Sequence, residues 1–188
     1  MKSYIGITGC SGSLGKTLLK IGKKKFVCFS GDVRNRDHVL KWITKNNLKA
    51  VIHLAAIVPI KDVNNNKKKA KDVNFLGTKN IVIAVKKSKV DWLFFSSTSH
   101  VYKSSYEKIS ERSKKNPVSY YGRTKLLAEN YIIDQLDRTN KRYCIGRIFS
   151  TSNKDQKKNY LVPDLKKRIK KTKKKIMFKN LNHYRDFI

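Results

Sequence analysis

Short apolar runs alternate with helical segments along nearly the whole chain, and this alternation limits the possible folds more than any other feature. Five runs have the length of buried strands: YIGIT (4–8), FVCF (26–29), AVIHLAAI (50–57), VDWLFFSS (90–97) and RYCIGRIFS (142–150). They carry β-branched and aromatic residues without a helical period. Repeated strand–helix units predict an α/β fold, a doubly wound parallel sheet with right-handed crossovers.

Helices are predicted between these runs, at about 14–20, 36–46, 73–87 and 116–138. In the second of them Val39, Leu40 and Ile43 share one face, and Asn35 is placed as its N-cap. The Asn- and Lys-rich stretch PIKDVNNNKKK (59–69) is predicted to be a loop. No internal repeat or interdomain linker is visible, so a single domain is expected.

The stretch TGCSGSLGKT (8–17) follows the first strand and fits two kinds of nucleotide-binding loop. Its ending, GKT, resembles a P-loop, but a P-loop needs a glycine five positions before Gly15, where this chain has Cys10. Gly9, Gly12 and Gly15 instead form G-x-x-G-x-x-G, a relative of the dinucleotide fingerprint. The first interpretation predicts phosphoryl transfer and the second predicts hydride transfer.

Each glycine has a physical role in the dinucleotide interpretation. Gly9 makes the tight turn, Gly12 lets the backbone approach a pyrophosphate, and Gly15 lets the helix pack on the strand. The helix N-terminus then faces the anion. A P-loop enzyme also needs a strand that ends in an Asp to hold magnesium. The runs AVIHLAA and WLFFSST end instead in small or hydroxylated residues, which favours the dinucleotide.

Tyr121 and Lys125 are four positions apart on the last predicted helix, so they share a face. A phenol with a pKa of about 10 is a poor acid–base at neutral pH, and a neighbouring ammonium lowers that pKa. About two dozen residues earlier, FFSSTSHVY places hydroxyls where a buried strand ends. A Ser or Thr there is suited to bind a substrate oxygen next to the phenol; capping of the strand by these hydroxyls is the structural alternative.

Taken in order, these stretches resemble the extended short-chain dehydrogenases/reductases, the NAD-dependent epimerase/dehydratase group that acts on nucleotide-sugars. The matching segments are TGCSGSLG (8–15), GDVRN (31–35), HLAA (53–56), VNFLGTKN (73–80), FSSTSHVY (95–102), YYGRTKLLAE (120–129), GRIFS (146–150) and YRDFI (184–188). Each motif is weak alone, and the ordered set is specific. The resemblance implies an NAD(P)-binding Rossmann fold, with NAD or NADP as cofactor, and decides against the P-loop.

The resemblance also implies a Ser/Thr-Tyr-Lys triad. Tyr121 is the implied general acid–base, Lys125 binds the nicotinamide ribose and tunes Tyr121, and Thr98 orients the C4 oxygen of the sugar. Asn74 matches an Asn of the family, with a structural cap as the open alternative. The implied cofactor-binding residues are Gly9, Ser11, Gly12, Ser13, Leu14, Gly15, Asp32, Val33, Leu54, Ala55, Ala56, Tyr121 and Lys125. The implied substrate-binding residues are Thr98, Ser99, Ser150 and Arg185, and no metal site is implied.

The chain departs from the family's pattern at several positions. The second strand lacks the usual ribose-binding acid and leads almost directly to Asp32, so Asp32 serves that purpose or Arg34 and Arg36 accept a 2′-phosphate. Ser150 stands where many epimerases have Asn, which favours the reductase side of the family. Ser99 stands where dehydratases often carry a carboxylate, which argues against dehydration.

The last motif, YRDFI, leads in the family into further helices that complete the sugar-nucleotide site. We therefore interpret the chain as one NAD(P)-binding domain over 1–188, with 151–188 as the beginning of a truncated substrate-binding part. Because its supporting residues would be missing, Arg185 is a weaker candidate than the triad.

Composition narrows the cellular context. The net charge is +31, carried mainly by Lys in many short runs, and Lys, Asn and Ile share A/T-rich codons. A biased genome and a solvated surface explain this charge, and nucleic acid is expected to bind only non-specifically. The three cysteines lack C-x-x-C spacing, and no secretory leader or membrane span is visible, so a cytoplasmic, reduced protein without a structural zinc site is expected.

Two functions from different classes follow from these observations. The first is an NAD(P)-dependent enzyme that transfers hydride at a ring carbon of a nucleotide-sugar, as an epimerase or a reductase, with a homodimer compatible with the resemblance. The alternative is a non-catalytic Rossmann remnant whose basic surface binds RNA or an acidic partner. The triad favours the enzyme, and the short C-terminal part together with the charge favours the alternative.

Overall fold

Five parallel strands form one sheet in the order β2-β1-β3-β4-β5. The computed structural model describes residues 4–22, 26–152, 156 and 160–171. The strands are β1 (Tyr4–Thr8), β2 (Phe26–Cys28), β3 (Leu48–His53), β4 (Trp92–Thr98) and β5 (Arg142–Ile148). The prediction of a doubly wound parallel α/β sheet is confirmed.

Helices follow the strands in chain order. They are α1 (Ser13–Gly22), α2 (Arg36–Lys45), α3 (Ile60–Asn65), α4 (Lys67–Lys71), α5 (Gly77–Lys86), α6 (Tyr120–Leu136) and α7 (Leu161–Lys171). A π-helical turn (Asp72–Leu76) joins α4 to α5, and a 3₁₀ turn (Ser99–Val101) follows β4. The predicted N-cap of α2 is confirmed, because the Asn35 side chain accepts a hydrogen bond from the His38 N–H over 3.1 Å.

The stretch 59–69, predicted to be a loop, is mostly helical, so that prediction is wrong. Its polar composition hides the apolar Val63 on α3, which is buried against Tyr121 together with Ala70 on α4, the residue that follows the stretch. Asn66 ends α3 and caps α4 by accepting from the Lys69 N–H. Tertiary burial of two side chains therefore decides the local conformation.

The main core lies on one face of the sheet. Apolar side chains of α2, α5 and α6 pack there against Val51, Leu93 and Phe95 of the central strands. Residues 1–148 form one compact unit and residues 149–188 form a second one, which contains α7. Among the described residues, no helix has the length and apolarity needed to span a membrane.

Candidate active site

The glycine loop lies at the point where the strand order reverses. β1 has β2 on one side and β3 on the other, which creates a crevice at the carboxyl ends of β1 and β3. In open parallel sheets ligands bind in such crevices. Gly9 turns there with φ of +75°, and a Cβ on it would lie 2.7 Å from the Ala55 nitrogen. The loop therefore passes directly beside the segment that follows β3.

The loop has the close packing that the dinucleotide interpretation predicts. The Gly12 N–H donates to the Gly9 carbonyl over 3.0 Å, and α1 begins at Ser13. A Cβ on Gly15 would overlap the Gly9 carbonyl oxygen and lie 2.7 Å from the Cys10 Cα. At Gly12 the nearest atom would be 3.2 Å away. Gly15 is thus needed for helix packing, whereas a Cβ at Gly12 would be close to the Gly9 carbonyl oxygen without overlapping it.

The loop fits a dinucleotide on these observations. A cradle closed to a Cβ at Gly9 and Gly15 opens onto the first turn of an α-helix, whose N–H groups suit a phosphate. Ser11 is exposed, and Ser13 and Leu14 are partly buried in that turn. Leu54, Ala55 and Ala56, all partly buried, continue from β3 across the crevice.

A buried hydrogen-bond chain connects this loop with the interior. The Leu54 and Ala55 N–H groups both donate to the Thr8 hydroxyl over 3.2 Å. That hydroxyl lies 2.6 Å from Nδ1 of His53, and His53 Nε2 lies 3.0 Å from the Thr78 hydroxyl. The Thr78 hydroxyl donates to a backbone carbonyl, so His53 Nε2 carries the proton and Nδ1 accepts from Thr8. Burial lowers the pKa of His53 to about 3, with Lys125 contributing, and this neutral tautomer is the one present near neutral pH.

The chain of hydrogen bonds continues through the Asn74 side chain to α6. Asn74 accepts from the Ile57 N–H over 2.8 Å, and its amide donates to the Ile57 carbonyl and to the Thr124 hydroxyl, each over 3.1 Å. Thr124 in turn donates to the Tyr121 carbonyl over 2.8 Å. Asn74 therefore ties the segment after β3 to the helix that carries Tyr121, which is a cross-link between segments rather than the helix cap considered for it.

Tyr121 and Lys125 are buried in the first two turns of α6, at 7% and 2% exposure. Ser119 caps the helix by accepting from the Gly122 N–H over 3.0 Å. A Cβ on Gly122 would overlap the His100 carbonyl, so the helix start packs directly against the 3₁₀ turn. The His100 and Tyr121 ring centroids are 5.9 Å apart. This contact holds Tyr121 beside the segment that follows Thr98.

The ammonium of Lys125 lies over the ring of Phe95, 4.1 Å from the centroid. Burial lowers the pKa of Lys125 to about 7, and the nearby Glu129 carboxylate partly offsets this effect. Its charge therefore changes near neutral pH. A group with such a pKa is suited to influence proton transfer by a neighbouring phenol.

Thr98 is buried at 5% exposure, and its hydroxyl accepts from the His100 N–H over 3.3 Å. This is the backbone contact that the structural alternative predicts, and it leaves the hydroxyl proton to be donated elsewhere. Ser99 is partly buried in the 3₁₀ turn.

Asp32 and Val33 lie at the adenosine side of the crevice in the sequence-based interpretation. Asp32 forms a bidentate ion pair with the Arg34 guanidinium, with Nε 2.9–3.0 Å from the two carboxylate oxygens. Its hydrogen bonds with Arg34 lower the pKa of Asp32. Val33 is buried, and a Cβ on Gly77 would lie 2.6 Å from its Cγ2. Val33 therefore packs against the start of α5.

Sequence reasoning missed a buried ion pair next to the predicted triad. Glu129 is fully buried one turn after Lys125; it accepts from the Ser97 hydroxyl and forms an ion pair with Arg147 at 2.8 Å. Arg147 also donates to the Tyr102 hydroxyl over 2.8 Å. The pair joins β4, β5 and α6 at the strand ends. The only sequence signal was that both residues stand inside the motifs YYGRTKLLAE and GRIFS.

The prediction that the cysteines are reduced is wrong for two of the three residues. Cys10 of the glycine loop and Cys28 at the end of β2 form a disulfide. Their separation of 18 residues has no motif, and only the pairing of β1 with β2 brings them together. Cys144 on β5 is free and exposed.

Two predicted substrate residues are not placed in this site. Ser150 belongs to the second compact unit, and Arg185 lies outside the described residues. A cavity of about 280 Å³ beside Tyr121 is lined by residues of α3 and of the start of α6, among them Ile60, Val63 and Tyr120.

The comparisons with known proteins agree with this geometry. A family model described as the NAD dependent epimerase/dehydratase family matches residues 19–188. The chain belongs to this family, which confirms the resemblance and, at the level of the family, the prediction of a nicotinamide dinucleotide as cofactor.

Individual relatives match parts of the chain. It is 28% identical over 191 residues to an uncharacterized membrane protein of Methanocaldococcus jannaschii, covering 88% of this chain and 53% of that protein. It is 35% identical over 106 residues to the bifunctional UDP-glucose 4-epimerase and UDP-xylose 4-epimerase 1 of Pisum sativum, covering 55% of this chain and 30% of that enzyme. The chain thus spans about half the length of the first relative and less of the second.

A solved structure has a similar fold. The UDP-N-acetylglucosamine 4-epimerase from Methanobrevibacter ruminantium M1, in complex with UDP-N-acetylmuramic acid, superimposes with a TM-score of 0.87 at 19% identity. The match covers 100% of this chain and 69% of that one.

Proposed function

We propose that this chain is the dinucleotide-binding part of an NAD(P)-dependent enzyme that acts on a nucleotide-sugar. The observation that carries the proposal is the burial of Tyr121 and Lys125 on α6, packed against the turn after β4, where β4 ends in Thr98. Family membership and the cradle formed by Gly9 and Gly15 support it independently. The class of substrate is inferred from two of the similar proteins, the Pisum sativum and Methanobrevibacter ruminantium epimerases, which are named for UDP-sugars.

The loop 9–15, the segment 54–56 and Lys125 are the groups proposed to hold the dinucleotide, with Asp32 and Val33 toward its adenosine end. The nicotinamide, when bound, supplies the acceptor or donor of hydride for a sugar ring carbon. Whether the enzyme prefers NAD or NADP depends on the Asp32–Arg34 pair. When its hydrogen bonds are closed, the pair suits a ribose hydroxyl; when they are opened, it exposes a guanidinium to a 2′-phosphate.

Tyr121 is proposed to move the proton of the sugar hydroxyl. When Lys125 is protonated, its positive charge favours the phenolate and lowers the barrier to proton removal. Thr98, which accepts from a backbone N–H, keeps a hydroxyl proton that can be donated to the sugar C4 oxygen. Ser99, Ser150 and Arg185 are the further candidates for substrate contacts.

Epimerisation and reduction are the two proposed outcomes. Ser99 in place of a carboxylate disfavours dehydration, and Ser150 in place of Asn favours reduction. Net oxidation of the reduced cofactor in the presence of a 4-keto sugar nucleotide would identify a reductase. Interconversion of two 4-hydroxy sugars without net cofactor turnover would identify an epimerase.

The test compares Tyr121→Phe with Tyr120→Phe, which removes the same hydroxyl from the adjacent residue. Nicotinamide absorbance and sugar products are followed with a panel of UDP- and dTDP-sugars. Tyr121→Phe is expected to lower the rate by about 10²–10⁴ and to change dinucleotide affinity little, because the proton path is lost while Lys125 still binds the ribose. Tyr120→Phe is expected to behave like the wild type.

Equal turnover by both variants would show that Tyr121 is not the acid–base. Firm dinucleotide binding without turnover of any sugar nucleotide would instead favour a non-catalytic Rossmann protein.

A further inference from the structure

The Cys10–Cys28 disulfide joins two segments that border the same crevice. Cys10 stands between Gly9 and Gly12 of the glycine loop, and Cys28 is the last residue of β2. In the sheet Cys28 is paired with Ile7, the residue that precedes Thr8 on β1. The Cα atoms of the two cysteines are 6.1 Å apart, within the ordinary range for a disulfide.

The bond reaches the backbone that shapes the loop. The Cys10 Cα and carbonyl lie against Gly15, at the first turn of α1, and the adjacent Gly9 carbonyl accepts from the Gly12 N–H. A covalent link from Cys10 to β2 therefore restrains the turn on which the phosphate-binding geometry depends. Neither cysteine has a place in the proposed catalytic steps.

The bond is accessible to small thiols and disulfides. Cys28 is exposed and Cys10 is partly buried. Disulfides of intracellular proteins, where they occur, are usually transient and redox-sensing. Accessible disulfides are also among the labile, regulatory ones.

We propose that Cys10 and Cys28 are a reversible modification site, and that disulfide formation raises the affinity of the glycine loop for a dinucleotide. The oxidant is a low-molecular-weight disulfide such as oxidised glutathione. The thiolate of one cysteine attacks a sulfur of the oxidant, forming a mixed disulfide and releasing one thiol. The second cysteine then attacks the protein sulfur, loses its proton and releases the second thiol. The two cysteines together lose two electrons, and the oxidant is reduced to two thiols.

The direction of the effect follows from preorganisation. With the bond formed, the loop already has the Gly9 turn, the Gly12–Gly9 hydrogen bond and the α1 start suited to a pyrophosphate. Reduction removes a restraint from Cys10, so the loop must lose more conformational freedom when it binds. Rigid binding segments bind more tightly for this reason. The inference rests on the proposed function in taking this loop as the dinucleotide site.

The first experiment counts reactive thiols in the full chain with a maleimide reagent, before and after incubation with oxidised glutathione and after a dithiol. The chain has three cysteines, so three labels are expected after the dithiol and one, on Cys144, after the oxidant. The Cys144→Ser variant is expected to take two labels after the dithiol and none after the oxidant. Three labels after oxidation of the wild-type chain would overturn the proposal.

The second experiment measures NAD and NADH affinity of both forms by calorimetry. The oxidised form is expected to bind on the order of tenfold more tightly. Cys28→Ser, which lies outside the loop, should bind like the reduced form under either condition, and Cys144→Ser should retain the difference. Equal affinity of the oxidised and reduced forms would overturn the control of binding while the proposed function stands. No binding by either form would contradict the proposed function as well.

Discussion

Lys125 is buried, although a lysine ammonium ordinarily remains exposed to water. An ammonium is costly to bury, and the free energy of burial is reflected in a pKa lowered to about 7. The Phe95 ring and the Glu129 carboxylate compensate for only part of that cost. The burial of a charge that is unfavourable for folding agrees with the role proposed for Lys125 in the site.

Replacement of Lys125 by Met is therefore expected to stabilise the fold and to weaken dinucleotide binding. In the wild type, the destabilisation is complete below pH 7, where folded and unfolded chains both carry the proton. It declines as pH rises from about 7 to about 10.5, because only the unfolded chain then stays protonated. Lys125→Met should raise the free energy of unfolding at pH 6 by on the order of 1 kcal/mol or more, and by less at pH 10.

Urea unfolding at both pH values measures this difference, with the exposed Lys79→Met as the control. Dinucleotide affinity should fall about tenfold in Lys125→Met alone, since a charged hydrogen-bond donor is lost. A stability difference that does not depend on pH would contradict the titration of a buried Lys125.

At residue level, the sequence predicted the Tyr121–Lys125 pair because helix spacing is a local property. The roles of the other candidates depend on partners far along the chain. Thr8 and His53, separated by 45 positions, form one hydrogen bond, and Asn74 and Thr124, separated by 50, form another. No local pattern encodes such pairs, so a structural role for Asn74 could be weighed but not established.

β1, the glycine loop and α1 pack closely at the crevice. At Gly9 and Gly15 this packing leaves no room for a side chain. Gly15→Ala is expected to destabilise the fold by about 1–3 kcal/mol, because its Cβ would meet the backbone of Gly9 and Cys10. Gly12→Ala should cost less than Gly15→Ala, since its nearest contact, the Gly9 carbonyl oxygen at 3.2 Å, is close without overlapping. It is still expected to weaken dinucleotide binding, because the proposed function places the pyrophosphate against this residue.

Thermal unfolding and NAD titration of the two variants measure these separate effects. Loss of stability without loss of affinity in Gly12→Ala would show that the loop does not approach a pyrophosphate at that residue.

Element prediction succeeded where periodicity was strong and failed where burial is sparse. The five strands and α2, α5 and α6 were all anticipated, with boundaries shifted by a few residues; α2, for example, ends at Lys45 rather than at residue 46. In α3 and α4 only Val63 and Ala70 are buried, which is too few apolar positions to reveal a helix among Asn and Lys.

The whole molecule carries a net charge of +31, which attracts anionic polymers to its surface as a whole. We expect RNA to bind weakly and without sequence preference, because counterion release provides the free energy. Fluorescence anisotropy with two unrelated RNAs should give equal affinities. Both should fall by about 10³ or more between roughly 50 and 200 mM salt if six or more phosphates are contacted. Tight binding of only one RNA at about 0.2 M salt would show a specific site instead.

By itself, the sequence determined the alternation of strands and helices, the glycine loop and the Tyr121–Lys125 spacing, because each depends on residues that are close along the chain. These were sufficient for the fold class and the family. Only the tertiary structure decided which distant groups meet: Cys10 with Cys28, Glu129 with Arg147, and Thr8 with His53. The order of the strands brings these pairs together, and that order results from packing of the whole sheet against its helices, which no local stretch of sequence contains.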